Sequence, residues 1–153
     1  MKKYLLLLVG LTFIACSSDD DVDDTSDARN FLEKYDGFGY EYIDELDDVE
    51  YFFFSNSANF IKYVETWNDD TDCLEFREGQ VTDGMNPSII TNDSSRLVVD
   101  FSYSEGGDNY TYRIEFIVSS DGNTLTLRYD DSDNPDDIDI FTKTTSTFAS
   151  LCN

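Results

Sequence analysis

The side chains able to do chemistry in this chain of 153 residues are carboxylates, thiols and phenols. Asp and Glu number 33 against 10 Lys and Arg, and histidine is absent. Without histidine, neither a Ser-His-Asp nor a Cys-His catalytic set can be assembled, and every His-ligated metal site is excluded. The formal charge of −23 repels phosphate backbones, so nucleic acid is not an expected partner. So many carboxylates suggest a cation first. Asn68, Asp70 and Asp72 fall at positions one, three and five of a calcium loop, but Cys73 stands where Gly is needed and Gly79 where a bidentate Glu is needed. The denser stretch from Asp130 to Asp137, with Asp131, Asp133 and Asp137 as candidate ligands, reads as a solvated turn with weak affinity for Ca²⁺ at most. Glycoside hydrolysis needs two acids facing each other across a cleft, and no pair is singled out. No Gly-rich phosphate loop follows a strand. The chain is therefore not expected to be an enzyme, and no cofactor is expected.

The thiols are more informative. Met1-Lys2-Lys3 is positive, and Tyr4 to Ile14 is a predominantly apolar run. A membrane-spanning helix needs about 20 apolar residues, so this run is too short to span and has the length of a signal-peptide core. It ends at Ala15-Cys16, and the chain then turns acidic through Ser17-Ser18-Asp19-Asp20-Asp21-Val22-Asp23-Asp24. A small residue directly before Cys at this junction resembles the lipobox of bacterial lipoproteins. In that family the Cys is acylated and the signal is cleaved before it. The resemblance implies a signal over residues 1–15, an acidic disordered linker over 16–26, a folded domain over 27–153, and membrane attachment through acylated Cys16. Several acyl chains bind durably where one binds only marginally. The Ser-Asp stretch resembles the signal that sends some lipoproteins to the outer face of the outer membrane, so a cell-surface location is expected.

Cys73 and Cys152 remain as an even pair in an exported chain, for which a disulfide is the default and two buried free thiols the alternative. A catalytic thiol is disfavoured because no histidine is present to activate it.

The elements that must position these groups follow from periodicity. Asp27 to Tyr35 is predicted to be a short helix with Ser26 as its cap, with Ala28, Phe31, Leu32 and Tyr35 on one face and Gly37 past its end. Beyond Gly37 the period becomes two. Strands are predicted around Tyr40 and Tyr42, over Val49 to Phe54, Phe60 to Trp67 and Leu74 to Phe76, and weakly at Ile89-Ile90. Three runs, Leu97 to Tyr103, Tyr110 to Val118 and Leu125 to Tyr129, alternate most clearly, and Ile138 begins a last strand that runs through Thr144. Asp121-Gly122 and Glu105-Gly106-Gly107-Asp108 carry hairpin chemistry. The fold class is therefore all-β, an antiparallel up-and-down meander closing into a small barrel of about eight strands behind a short N-terminal helix. Closure is favoured because it removes exposed edges.

This layout, with the lipoprotein signal, the acidic linker, the segment Phe31-Leu32-Glu33-Lys34-Tyr35-Asp36-Gly37 and a Thr-rich last strand ending near Cys152, resembles small bacterial surface lipoproteins with a lipocalin-like domain. Gly37-Phe38-Gly39-Tyr40 stands where that family usually carries Gly-x-Trp. The barrel interior is the remaining functional candidate. Phe101, Tyr103, Tyr110, Tyr112, Phe116 and Tyr129 fall on the apolar faces of neighbouring strands, where phenols among rings can orient a small apolar or amphipathic ligand. The competing expectation is a fully packed barrel serving as a structural or interaction accessory of the cell envelope. Its signature would be an exposed aromatic patch from Tyr51, Phe52, Phe53 and Phe54.

Overall fold

The computed structural model describes residues 28–44, 48–67, 70–130 and 138–152. Cys16, the signal and linker segments, Ser26, Asp131, Asp133 and Asp137 lie outside the described residues. A short helix α1 (Phe31–Lys34) leads into nine strands: β1 (Gly39–Ile43), β2 (Val49–Phe54), β3 (Asn59–Trp67), β4 (Asp70–Arg77), β5 (Asn86–Asn92), β6 (Arg96–Glu105), β7 (Asp108–Val118), β8 (Thr124–Asp130) and β9 (Ile138–Thr144). A second short helix, α2 (Phe148–Leu151), follows.

The strands form one antiparallel sheet in the order β4-β3-β2-β1-β9-β8-β7-β6-β5, a nearly closed barrel. Every neighbouring pair is antiparallel, including β1 with β9. Around a ring of nine strands such alternation cannot be kept, so β4 and β5 must run in the same direction. The barrel is open at that seam. Two successive tight turns, Arg77 with Gln80 and Thr82 with Met85, carry the chain across it. The Gly79 amide donates to the Pro87 carbonyl at 3.0 Å, and Thr82 Oγ1 donates to the Glu75 carbonyl at 3.1 Å. Pro87 has no N–H to offer a neighbour and suits an edge strand. The ninth strand is β5, of which only Ile89-Ile90 was evident in sequence.

Antiparallel alternation also fixes which end each connection occupies. The β2–β3, β5–β6 and β7–β8 turns share one end with α1. The β1–β2, β3–β4, β6–β7 and β8–β9 connections share the other. Helix α1 plugs the first end with Phe31, Leu32 and Tyr35, all buried, and Phe31 stands edge-on to Phe54 at 4.9 Å. Burial of each such side chain contributes roughly 2 kcal/mol, which offsets the cost of a helix too short to stand alone. The Leu32 amide donates to Asn92 Oδ1 at 3.2 Å and ties the plug to the β5–β6 turn. The helix begins at Phe31, later than expected, and Ala28 precedes it. Asn30 is the cap because Glu33 three residues on completes a capping box, whereas three residues after Ser26 stands Arg29.

The middle of the barrel is packed with rings. Phe116 lies 5.5 Å from Phe52 and 5.6 Å from Phe54, and Phe141 lies 5.3 Å from Phe52. Phe52, Phe53 and Phe54 are buried and Tyr51 is half-buried, so these four residues do not form the exposed aromatic patch that would mark an envelope accessory. Phe52 and Phe54 point inward, while Phe53 is covered from outside by Phe148 of α2, 6.2 Å away. The Phe53 ring also lies over Gly39, where a Cβ would come within 2.5 Å of it. Ile138 and Ile140 face outward, at 50% and 54% exposure, because the Leu125–Phe141 pair sets the phase of β9. A disulfide joins Cys73 on β4 to Cys152 just after α2, with Cα atoms 6.0 Å apart, and holds that helix against the outer wall.

Candidate functional site

One end is plugged by α1; among the described residues no helix caps the other end, and the inward side chains change character toward it. Tyr42, Tyr63, Leu74, Met85, Tyr112 and Tyr129 are half-buried against the aromatic core. The β6–β7 hairpin organises the densest part. Its register pairs Tyr103 with Tyr110 and Phe101 with Tyr112, and cross-strand neighbours on one face are close enough to stack. Tyr103 and Tyr110 are stacked at 5.3 Å, and Phe101 and Tyr112 at 5.4 Å. Tyr103 meets Tyr112 edge-on at 6.2 Å, and Phe101 meets Phe76 at 5.3 Å. A continuous run of rings thus leads from Tyr110, 45% exposed, down to buried Phe101 and Phe76.

Turn chemistry builds the remaining walls. Gly106 and Gly107 both take positive φ (63° and 95°), which tightens the hairpin and brings Glu105 beside the rings. In the seam crossing, just before β5, Asp83 (φ 49°) and Gly84 (φ 75°) make the same mirror-image turn and bring Met85 to Tyr112. The Tyr112 hydroxyl donates to Met85 Sδ at 2.7 Å. Burial, with the Tyr103 phenol as a second cause, pushes the Tyr112 phenol above its ordinary pKa. Asp83, Gly84, Met85, Tyr103, Ser104, Glu105 and Tyr112 border a shallow cleft of about 440 Å³ that lies largely open to solvent.

The six aromatic candidates are therefore divided. Phe101, Tyr103, Tyr110 and Tyr112 form one assembly at the open end, and Tyr103 and Tyr112 line its cleft. Phe116 is fully buried in the middle of the barrel and serves packing. Tyr129 sits on β8, opposite Ile114, and packs against the core from there.

Glu50 was not recognised as a candidate from sequence. It pairs with Tyr42 on one side and Glu65 on the other, and shares the inward phase of Phe52 and Phe54. Burial holds its carboxyl above the ordinary carboxylate pKa. A hydrogen bond from Tyr63 opposes that shift, and the nearby Glu65, Asp139 and Asp44 carboxylates add to it. Its position in the run Val49 to Phe54, two residues before Phe52, was the available signal.

A second cleft, of about 380 Å³, lies on the outer wall beside Arg96, Arg113, Glu115 and Arg128. Its cations are already neutralised. Arg113 holds Asp100 through two bonds of 2.6 and 3.0 Å, and Glu115 lies 3.2 Å from Arg96 and 3.8 Å from Arg128. Asp70 and Asp72, read above against a calcium loop, belong to the extended strand β4. Among the described residues no group of three or more carboxylates or thiols is arranged to hold a metal ion. In comparisons with protein-family models, curated proteins and solved structures, nothing matches this chain.

Proposed function

We propose that this protein is a lipid-anchored lipoprotein of the bacterial outer membrane, exposed at the cell surface, whose lipocalin-like barrel holds a small amphipathic ligand at its open end. The observation that carries the ligand reading is the cleft beside Tyr103, Tyr112 and Met85, at the end away from the α1 plug. Its volume lies within the roughly 300–1,000 Å³ typical of small-molecule sites. The ring-filled middle of the barrel favours a site at the rim over one deep inside. It also supports the second reading, a packed barrel acting as an envelope accessory without a ligand. The anchoring half of the proposal rests on Cys16 at the junction of apolar run and acidic linker.

Two experiments test the two halves. Cys16→Ser releases the protein from membrane fractions if position 16 carries the anchor, and unchanged membrane association contradicts it. Native mass spectrometry of the protein purified from its own host shows a bound small molecule that is lost in Tyr103→Ala. A bare polypeptide mass in every preparation favours the accessory reading instead.

A further inference from the structure

The cleft has a charge character that its rings alone do not reveal. Asp83, from the seam crossing, and Glu105, from the β6–β7 hairpin, both line it, and no Lys or Arg does. Farther round the same end, Glu50, Glu65, Asp72 and Asp139 share the inward phase of Phe52, Tyr63, Leu74 and Phe141. The eight basic residues among those described are placed elsewhere. Lys62, Arg77, Arg96, Arg113 and Arg128 are on the outer face, and Arg29, Lys34 and Lys143 are at the plugged end. Carboxylates alone would be a solvated rim. Here they flank two tyrosine rings set at 63° to each other; stacking on Phe101 and Tyr110 covers one face of each and their edge-on contact covers one more, which leaves a single ring face unstacked beside the cleft. The Tyr112 hydroxyl already donates to Met85 Sδ, so toward a ligand it keeps only acceptor capacity, which suits a positive group. Ring faces carry negative electrostatic potential and attract cations.

Resting on the ligand reading above, we propose that the occupant of the Tyr103–Tyr112–Met85 cleft is an organic cation, an ammonium group joined to an apolar body. The apolar body stacks on the open ring face and against Met85, and the ammonium head faces Asp83 and Glu105. An anion meets repulsion from both the rings and the carboxylates. A neutral molecule of the same shape gains only the stacking.

The test is an NMR titration of the full chain carrying Cys16→Ser, with benzyltrimethylammonium, benzyl alcohol and benzenesulfonate as probes. The cation is expected to shift the resonances of Met85, Tyr103 and Tyr112 and to bind roughly tenfold more tightly than the alcohol, with no binding of the sulfonate. The double variant Asp83→Asn/Glu105→Gln is expected to bring the cation's affinity close to that of the alcohol and to leave the alcohol unchanged. Asn tolerates the positive φ of position 83, so the turn survives the substitution. Equal affinity for cation and alcohol at these residues, or cation shifts confined to other surfaces, overturns the ligand class and leaves the site. No shift at the cleft from any of the three probes overturns both.

Discussion

Removing the covalent tie between β4 and the C-terminal segment tests how the barrel wall is held. The double variant Cys73→Ser/Cys152→Ser opens a loop whose ends are 79 residues apart in sequence. In the chain-entropy view, freeing a loop of that length gives the unfolded state about 4 kcal/mol of stabilisation. A domain of this size typically has about 5–15 kcal/mol in total, so the loss is a large fraction. Local contacts add to it. Helix α2 is four residues long and depends on docking: Phe148 meets Phe53 at 6.2 Å, and the Lys62 ammonium lies 4.8 Å above the Phe148 ring. The assay is urea unfolding followed by far-ultraviolet circular dichroism, because Trp67 is already 63% exposed in the fold and reports unfolding poorly. The expected result is a loss of about 4 kcal/mol with a steeper denaturant dependence, since an uncrosslinked unfolded chain exposes more surface. A loss below about 1 kcal/mol with an unchanged slope would refute the reasoning.

Phe116→Ala removes a fully buried ring from between Phe52 and Phe54 and is expected to cost about 3–5 kcal/mol in the same unfolding assay; a cost near zero would mean the barrel middle is not packed. Glu50 is expected to make stability fall as pH rises. Burial raises its pKa in the fold, so the folded chain holds this proton more tightly than the unfolded one. Its contribution is complete below the ordinary carboxylate value and is lost as pH climbs through the raised one. Glu50→Gln should therefore stabilise the protein near neutrality and make its melting temperature less dependent on pH than that of the parent, whereas parallel curves would contradict the burial. Gly39→Ala, whose Cβ would meet the Phe53 ring at 2.5 Å, is expected to cost about 1–3 kcal/mol and to loosen α2, seen as faster amide exchange at Phe148.

Much of the sheet was legible because one face is buried along most strands. In β6 and β7 the alternation of Leu97, Val99 and Phe101, and of Tyr112, Ile114 and Phe116, sets both phase and pairing. Where both faces are covered, alternation disappears. The run Phe52-Phe53-Phe54 is uniformly aromatic because α2 covers the outer face there, and a four-residue helix leaves no periodic trace. In β9 the isoleucines at 138 and 140 point outward and the single Phe141 sets the phase, which the hydrophobic pattern of the strand alone does not reveal. The seam was invisible for a different reason. It follows from the parity of nine strands, which no local pattern encodes. At the open end, the tyrosines were evident as a set. That Phe116 belongs to the core, and that Asp83 and Met85 of the seam crossing complete the cleft, depends on contacts distant in sequence.

The most direct measurement of the central claim is where a simple aromatic amphiphile settles on the folded chain. Benzyl alcohol, titrated into the full chain carrying Cys16→Ser with side-chain resonances assigned, is predicted to perturb Met85, Tyr103 and Tyr112 while leaving Phe31, Phe54 and the α1 end unchanged. Perturbation of the α1 end or the outer arginine face, with silence at those three residues, would contradict it.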